Sequence, residues 1–145
     1  MTAKNRYILT VLCLLISALM LLCTCSGEEA AEVPGQVIKD VTLEEAFTLM
    51  EDNRGSDDFS IIDLRSAGEY ASGHIERAIN LDCGSSDFDQ QLDGLDRDEV
   101  YLLYSRTDDV SGKVMDIMAA RGFIEVYNML GGMERWEEIG LPQIN

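Results

Sequence analysis

The chain is poor in the residues that most often carry chemistry. It has one histidine, His74, so any base-assisted step through an imidazole rests on that residue alone. It has no run of Lys or Arg. Its 11 basic residues stand against 27 acidic ones, a net charge of −16, which excludes a nucleic-acid-binding role. Such a field also repels anionic lipid and small anions, although the plainer reading of it is a well-solvated, soluble surface. Cysteine is scarce beyond the N-terminus. Cys13, Cys23 and Cys25 lie in or just after an apolar run, so Cys83 stands by itself in the remainder. That leaves no pair for a disulfide and no cysteine cluster for a metal. There is no internal repeat, and the composition is that of a globular protein rather than a disordered one.

What the chain does have begins with its first residues. Lys4 and Arg6 precede the apolar stretch from Tyr7 to Cys23, interrupted only by Thr10 and Ser17. With no polar face to turn toward water, this reads as a secretory signal rather than a core helix. The charges before it stay inside, placing the rest of the chain outside the cytoplasmic membrane. Leu22-Cys23-Thr24-Cys25-Ser26-Gly27 resembles a bacterial lipobox with Cys25 as the lipidated residue, departing from the pattern at Cys23 and Thr24. The alternative is an uncleaved signal anchor, because about 17 apolar residues just span a bilayer. Either outcome tethers the chain to a membrane. The expected division is a signal segment at 1–24, an acidic flexible linker at 25–35, and a domain at 36–145 of a size ordinary for one domain.

Within that domain short apolar runs alternate with helical patterns. Strands are expected around Val37-Ile38, over 59–64, 78–81, 100–104 and 126–129. Thr42-Leu-Glu-Glu45 is a capping box that opens a helix with Leu43, Ala46, Phe47 and Met50 on one face. Short helices are expected at 67–71 and 88–92. A longer one runs from Ser111 to Arg121 with Val114, Ile117 and Met118 inward, and a last one at 133–139 carries Trp136. The continuous apolar run at 100–104 suits a central parallel strand. The pattern is α/β, a parallel sheet covered on both faces.

Ile62-Asp63-Leu64-Arg65, Glu69-Tyr70, Gly73-His74-Ile75 and Ala78-Ile79-Asn80 resemble the first signature of rhodanese-like domains. Gly122-Phe123, Val126-Tyr127-Asn128, Leu130-Gly131-Gly132, Trp136 and Gly140-Leu141-Pro142 resemble the closing one. The resemblance runs from about Val37 to Pro142 and implies a five-stranded parallel sheet flanked by helices. It also implies that chemistry sits on the loop after the fourth strand, which in the family usually reads Cys-Arg-x-Gly-x-Arg-Ser. Here the loop is Ser105-Arg106-Thr107-Asp108-Asp109-Val110-Ser111.

The family loop points backbone amides at one spot, lowering a thiol pKa and holding an anion while the cysteine takes up sulfur as a persulfide. The oxygen of Ser105 is a poor nucleophile without an adjacent base and forms no exchangeable persulfide. Asp108 replaces the glycine, Val110 the second arginine. Asp108 and Asp109 bring negative charge to an anion site, where one like-charge contact at about 4 Å opposes binding by about 4 kcal/mol at an intermediate dielectric. Two placements of these acids follow. Either a carboxylate fills the cradle itself and accepts its amide hydrogens, or both point to solvent while Ser111 or Asp109 caps the following helix.

Other candidates read as structure. Asp63, Arg65 and Glu69 are expected to form a local polar network, and His74 to sit in a turn rather than serve Ser105. Cys83 emerges at the same sheet edge as the loop but about two strand spacings, roughly 10 Å, away. The acids from Asp87 to Asp98 fail as a calcium loop because Val100 occupies the bidentate glutamate position. No cofactor or metal is implied. The reading is a tethered, non-catalytic module for a protein partner of unknown identity. An enzyme using Cys83 or an atypical Ser105 loop is the alternative.

Overall fold

Reciprocal capping starts the first two helices. In α1 (Leu43–Asp52), Thr42 Oγ1 accepts the Glu45 amide at 3.2 Å and Glu45 returns a carboxylate to the Thr42 amide at 2.8 Å. Ser66 and Glu69 repeat the device for α2 (Ala67–Ser72). Each box satisfies amides that the first turn of a helix leaves without partners. These elements belong to a computed structural model that describes residues 35–145. The expected signal segment at 1–24, the spacer as far as residue 34, and Cys25 lie outside the described residues.

Five strands, β1 (Val37–Val41), β2 (Phe59–Asp63), β3 (Ala78–Asn80), β4 (Val100–Tyr104) and β5 (Glu125–Met129), form one parallel sheet ordered β1-β5-β4-β2-β3. The expected α/β class and the five-stranded sheet are both present. The remaining helices are α3 (Phe88–Asp93), α4 (Asp108–Ala120) and α5 (Gly132–Glu138). Because side chains alternate along each strand, Ile61, Leu102, Tyr104 and Met129 pack under α1 and α5, with Ala46, Met133 and Trp136. Ile62, Tyr101, Leu103 and Val126 face the other way, under α3 and α4 with Leu92, Val114 and Met118. Both faces are covered, which is why β4 reads as an unbroken apolar run.

Two helix faces differ from expectation. Ile117 is 39% exposed, because the buried stripe of α4 is Ser111, Val114, Met115 and Met118, which leaves Ile117 on the flank. Phe47 is 44% exposed: Ala46 takes the position against the sheet, and Phe47 stands at the margin of α1. Helix α4 also starts three residues before the expected Ser111, at Asp108. Asp108 and Asp109 in its first turn suit the positive end of the helix dipole.

Two backbone positions carry steric information. Gly132, with φ +56°, opens α5 so close to the β4–α4 loop that a Cβ there would lie 2.6 Å from the carbonyl oxygens of both Ser105 and Arg106. Arg77 has φ 68°, the one non-glycine residue with positive φ among the described residues. A left-handed conformation costs an L-residue with a Cβ roughly 1–2 kcal/mol. Gly132→Ala is expected to destabilise the domain by about 3 kcal/mol, the sum of backbone strain and overpacking. Urea-unfolding midpoints of the two proteins check it.

Candidate functional site

Helix α5 shapes the loop that follows β4. Its Met133 amide donates to the Ser105 carbonyl at 2.8 Å, and its Glu134 amide donates to the Arg106 carbonyl at 3.0 Å. All described peptide bonds are trans. In a planar trans peptide the N–H points opposite to the C=O. The N–H groups of Arg106 and Thr107 therefore face away from α5. The first turn of α4, which follows at once, adds amides that have no partner within the helix, so the loop at the C-terminal edge of the sheet is lined by backbone donors. Only glycine at 132 lets the two backbones approach so closely. The Gly131-Gly132 doublet is the sequence signal for this clamp.

Into that setting the chain places Ser105, 5% exposed, at the end of β4. No base reaches it. The Nδ1 of His74 lies 2.9 Å from the Tyr70 carbonyl, and its ring stacks on Tyr70 with centroids 3.7 Å apart. The backbone of His74 pairs with Ile144. Histidine is committed to packing the C-terminal residues against α2.

Arg106 is turned out of the loop. Its Nε donates to Glu69 Oε1 at 2.9 Å, and Nη2 reaches the same oxygen. Glu69 also accepts from the Ser66 hydroxyl at 2.6 Å. The Ser66 bond first, and the Arg106 pair second, hold the Glu69 carboxyl at about 2, well below its usual 4.5. This is a departure from the expected network, in which Glu69 joins Asp63 and Arg65. Those two instead form a buried pair, 0% and 4% exposed, closed by Arg65 Nη2 to Asp63 Oδ2 at 2.6 Å and by Nη2 to the Gly73 carbonyl at 2.7 Å. Burial opposes the Arg65 charge, yet the hydrogen bonds and attraction of Asp63 outweigh it and raise the Arg65 pKa. Tyr104 lies under the guanidinium, and burial first, with Asp63 second, pushes its phenol far above the usual range.

The remaining loop residues bring no cation to an anion. Neither Asp108 nor Asp109 receives a hydrogen bond from the loop amides, so the self-filled cradle is not the arrangement seen. The capping alternative is absent too. The N-cap is Thr107, without a side-chain bond, and Ser111 Oγ instead donates to the Asp108 carbonyl at 3.3 Å inside the helix. Asp109 and Val110 are exposed. Cys83 is exposed after β3, with β2 standing between β3 and β4. Partial burial and then Asp82 raise its thiol pKa, the opposite of an activated thiolate. Among the acids after it, Asp89 and Asp93 pair with Arg121.

A parallel α/β domain with an amide-lined loop between its fourth strand and the next helix is the class that these features define. A family model for the rhodanese-like domain matches residues 43–139, and the chain belongs to the rhodanese-like family. Thiosulfate sulfurtransferase GlpE of Actinobacillus pleuropneumoniae is 26% identical over 107 residues, which cover 74% of this chain and 94% of that protein. Putative sulfurtransferase YtwF of Bacillus subtilis is 32% identical over 89 residues, 61% of this chain and 84% of its own length. A solved rhodanese-like domain protein from Staphylococcus aureus superposes with a TM-score of 0.56 at 28% identity, covering 72% of this chain and 96% of that one. A rhodanese-related protein from Thermoplasma volcanium has a TM-score of 0.59 over 73% of this chain and 97% of its own, and at 21% identity it shows the fold alone.

The depressed Glu69 pKa has a sign. Glu69 binds its proton more weakly in the folded chain, so its stabilising effect is complete above about 4.5 and fades as pH falls toward about 2. Glu69→Gln is expected to flatten the acid limb of the stability–pH curve between these values and to leave its shape above pH 6 unchanged. Urea midpoints measured across that range test this.

Proposed function

We propose that this chain is a membrane-tethered, extracytoplasmic rhodanese-like module that binds a protein partner and does not transfer sulfur. The observation that carries the reading is the state of the loop. Ser105 sits at the foot of the amide cradle with no base beside it, and Arg106 is drawn out onto Glu69. A hydroxyl in that setting has neither the thiolate's nucleophilicity nor a route to a persulfide. The acids of the first turn of α4 oppose an incoming thiosulfate, and Val110 supplies no cation to offset them. Sulfurtransferase is the name of the relatives; the scaffold is shared with them and the sulfur-carrying atom is not at position 105. The tether rests on the N-terminal sequence, whose basic start, apolar run and Cys25 have the order of a lipoprotein signal.

Two experiments test the two halves. The full chain in detergent micelles, assayed with thiosulfate and cyanide, is expected to form no thiocyanate above a protein-free control, and Ser105→Cys by itself is expected to remain inactive. Turnover is expected only when Ser105→Cys is combined with Asp108→Gly and Val110→Arg. Activity in the unmodified chain that disappears in Cys83→Ala overturns the non-catalytic reading. For the anchor, cells expressing the chain and fed radiolabelled palmitate are expected to label it, with the label lost in Cys25→Ser. Label retained in that variant, or absent from both, removes the lipid anchor.

A further inference from the structure

The side of the domain covered by α1 and α5 carries features that the loop does not use. Phe47, 44% exposed, is the shared wall of two clefts of about 200 and 560 Å³. Met50 and the buried Trp136 line the first, and Leu43 and Ile139 extend the second. Ile139 and Ile144 are 46% and 45% exposed, so apolar surface continues across both. Isolated exposed apolar residues need no explanation, but a contiguous set around a concave surface marks a binding face.

Arg77 lines the first cleft and is the second observation. It holds a left-handed backbone, φ 68°, that glycine would adopt without strain. Its side chain has no hydrogen bond or ion pair among the described residues. Of the acids that line the same cleft, Glu51 pairs with Arg54, and Glu76 forms no ion pair with Arg77. Arg77 is therefore a cation without a direct partner among the described residues, set beside the apolar wall of the cleft in a chain whose net charge is −16. Strain kept for a side chain with no partner among the described residues points to a ligand beyond them.

We propose that this cleft docks an extended peptide segment of a partner protein, which sets an apolar side chain against Phe47 and a carboxylate on Arg77. The inference rests on the binding-module reading and gives the partner its chemistry. A second copy of the chain fits poorly, because two strongly acidic domains repel each other over the whole approach. A peptide bearing one or two carboxylates meets mainly the charges within about a Debye length, 8 Å at physiological salt. The guanidinium also favours a carboxylate over other groups, since two N–H donors match its two oxygens.

Panning a phage library of random peptides against the full chain in detergent micelles tests this. Enriched sequences are expected to place Asp or Glu within a few positions of an aromatic or branched aliphatic residue. A synthetic consensus peptide is expected to lose roughly tenfold in affinity when its acid is changed to the amide, and about as much against Arg77→Gly or Phe47→Asp. Arg77→Gly relieves a strained backbone, so its melting midpoint is expected at or above that of the unmodified chain, which separates lost docking from lost folding. No enrichment, enrichment without an acid, or equal affinity for both variants overturns the proposal. So does a dimer in sedimentation that Phe47→Asp dissolves, which puts a second copy in the cleft. Sulfur transfer plays no part in these readouts. Catalytic activity would sink the proposed function and leave this result standing, and the reverse also holds.

Discussion

The loop after β4 has its form because two of its carbonyls are bound from behind. Met133 and Glu134 offer the otherwise unpaired amides of a helix start, and the carbonyls of Ser105 and Arg106 accept them. Peptide planarity does the rest, turning the partner N–H groups away from α5. None of these groups is a side chain. The cradle is thus indifferent to whether residue 105 carries sulfur or oxygen, and the chain can keep the family's scaffold while changing its chemistry. The demands of the clamp fall on Gly132, where a methyl group would meet both carbonyl oxygens at 2.6 Å. A fold-level match and a serine at position 105 are compatible for that reason.

Electrostatics then decides what the cradle can hold. An amide-lined helix start attracts anions, with each favourable charge worth about 0.3–1 kcal/mol at an exposed site. In this chain Asp108 and Asp109 already occupy the first turn of α4. They take up part of that field from within, without any hydrogen bond to the amides. The one arginine of the loop is bound by Glu69, whose carboxyl stays ionised to about pH 2 and so keeps its grip across the physiological range. Position and charge act in the same direction: donors remain, but the cations that would draw an anionic substrate to them are absent or engaged.

Much of this was legible in the sequence because it depends on local rules. Alternation of apolar runs with 3.6-residue periodicity located the five strands and five helices of the described residues, and Thr42-x-x-Glu45 marked its cap. What escaped were features set by tertiary neighbours. Phe47 and Ile117 satisfy helical periodicity, but the width of the buried stripe is fixed by how close the sheet lies, and Ala46 and Met115 took those places. The start of α4 was misplaced because Asp108 and Asp109 look like loop residues, whereas at a helix N-terminus the same carboxylates are favoured. The Glu69–Arg106 pair spans 37 positions and has no local signature. Arg77 leaves no trace at all in propensity, since its left-handed φ appears only once the turn between α2 and β3 is built.

Helix α5 connects the loop after β4 with the apolar face around Phe47. Its first turn holds the Ser105 and Arg106 carbonyls, while Trp136 and Ile139, one and two turns later, line the clefts beside Phe47. Trp136 is itself fixed by its indole N–H to the Pro142 carbonyl at 2.9 Å and by burial in the core. A short helix held at its start by two backbone bonds and in its middle by a buried indole has little freedom to rotate. The cradle and the apolar face are therefore set at a constant separation on one rigid element. In the family's chemistry such rigidity serves to place a reacting atom. The same rigidity suits the proposed docking, because a surface that does not have to be ordered on binding loses less entropy when a partner arrives.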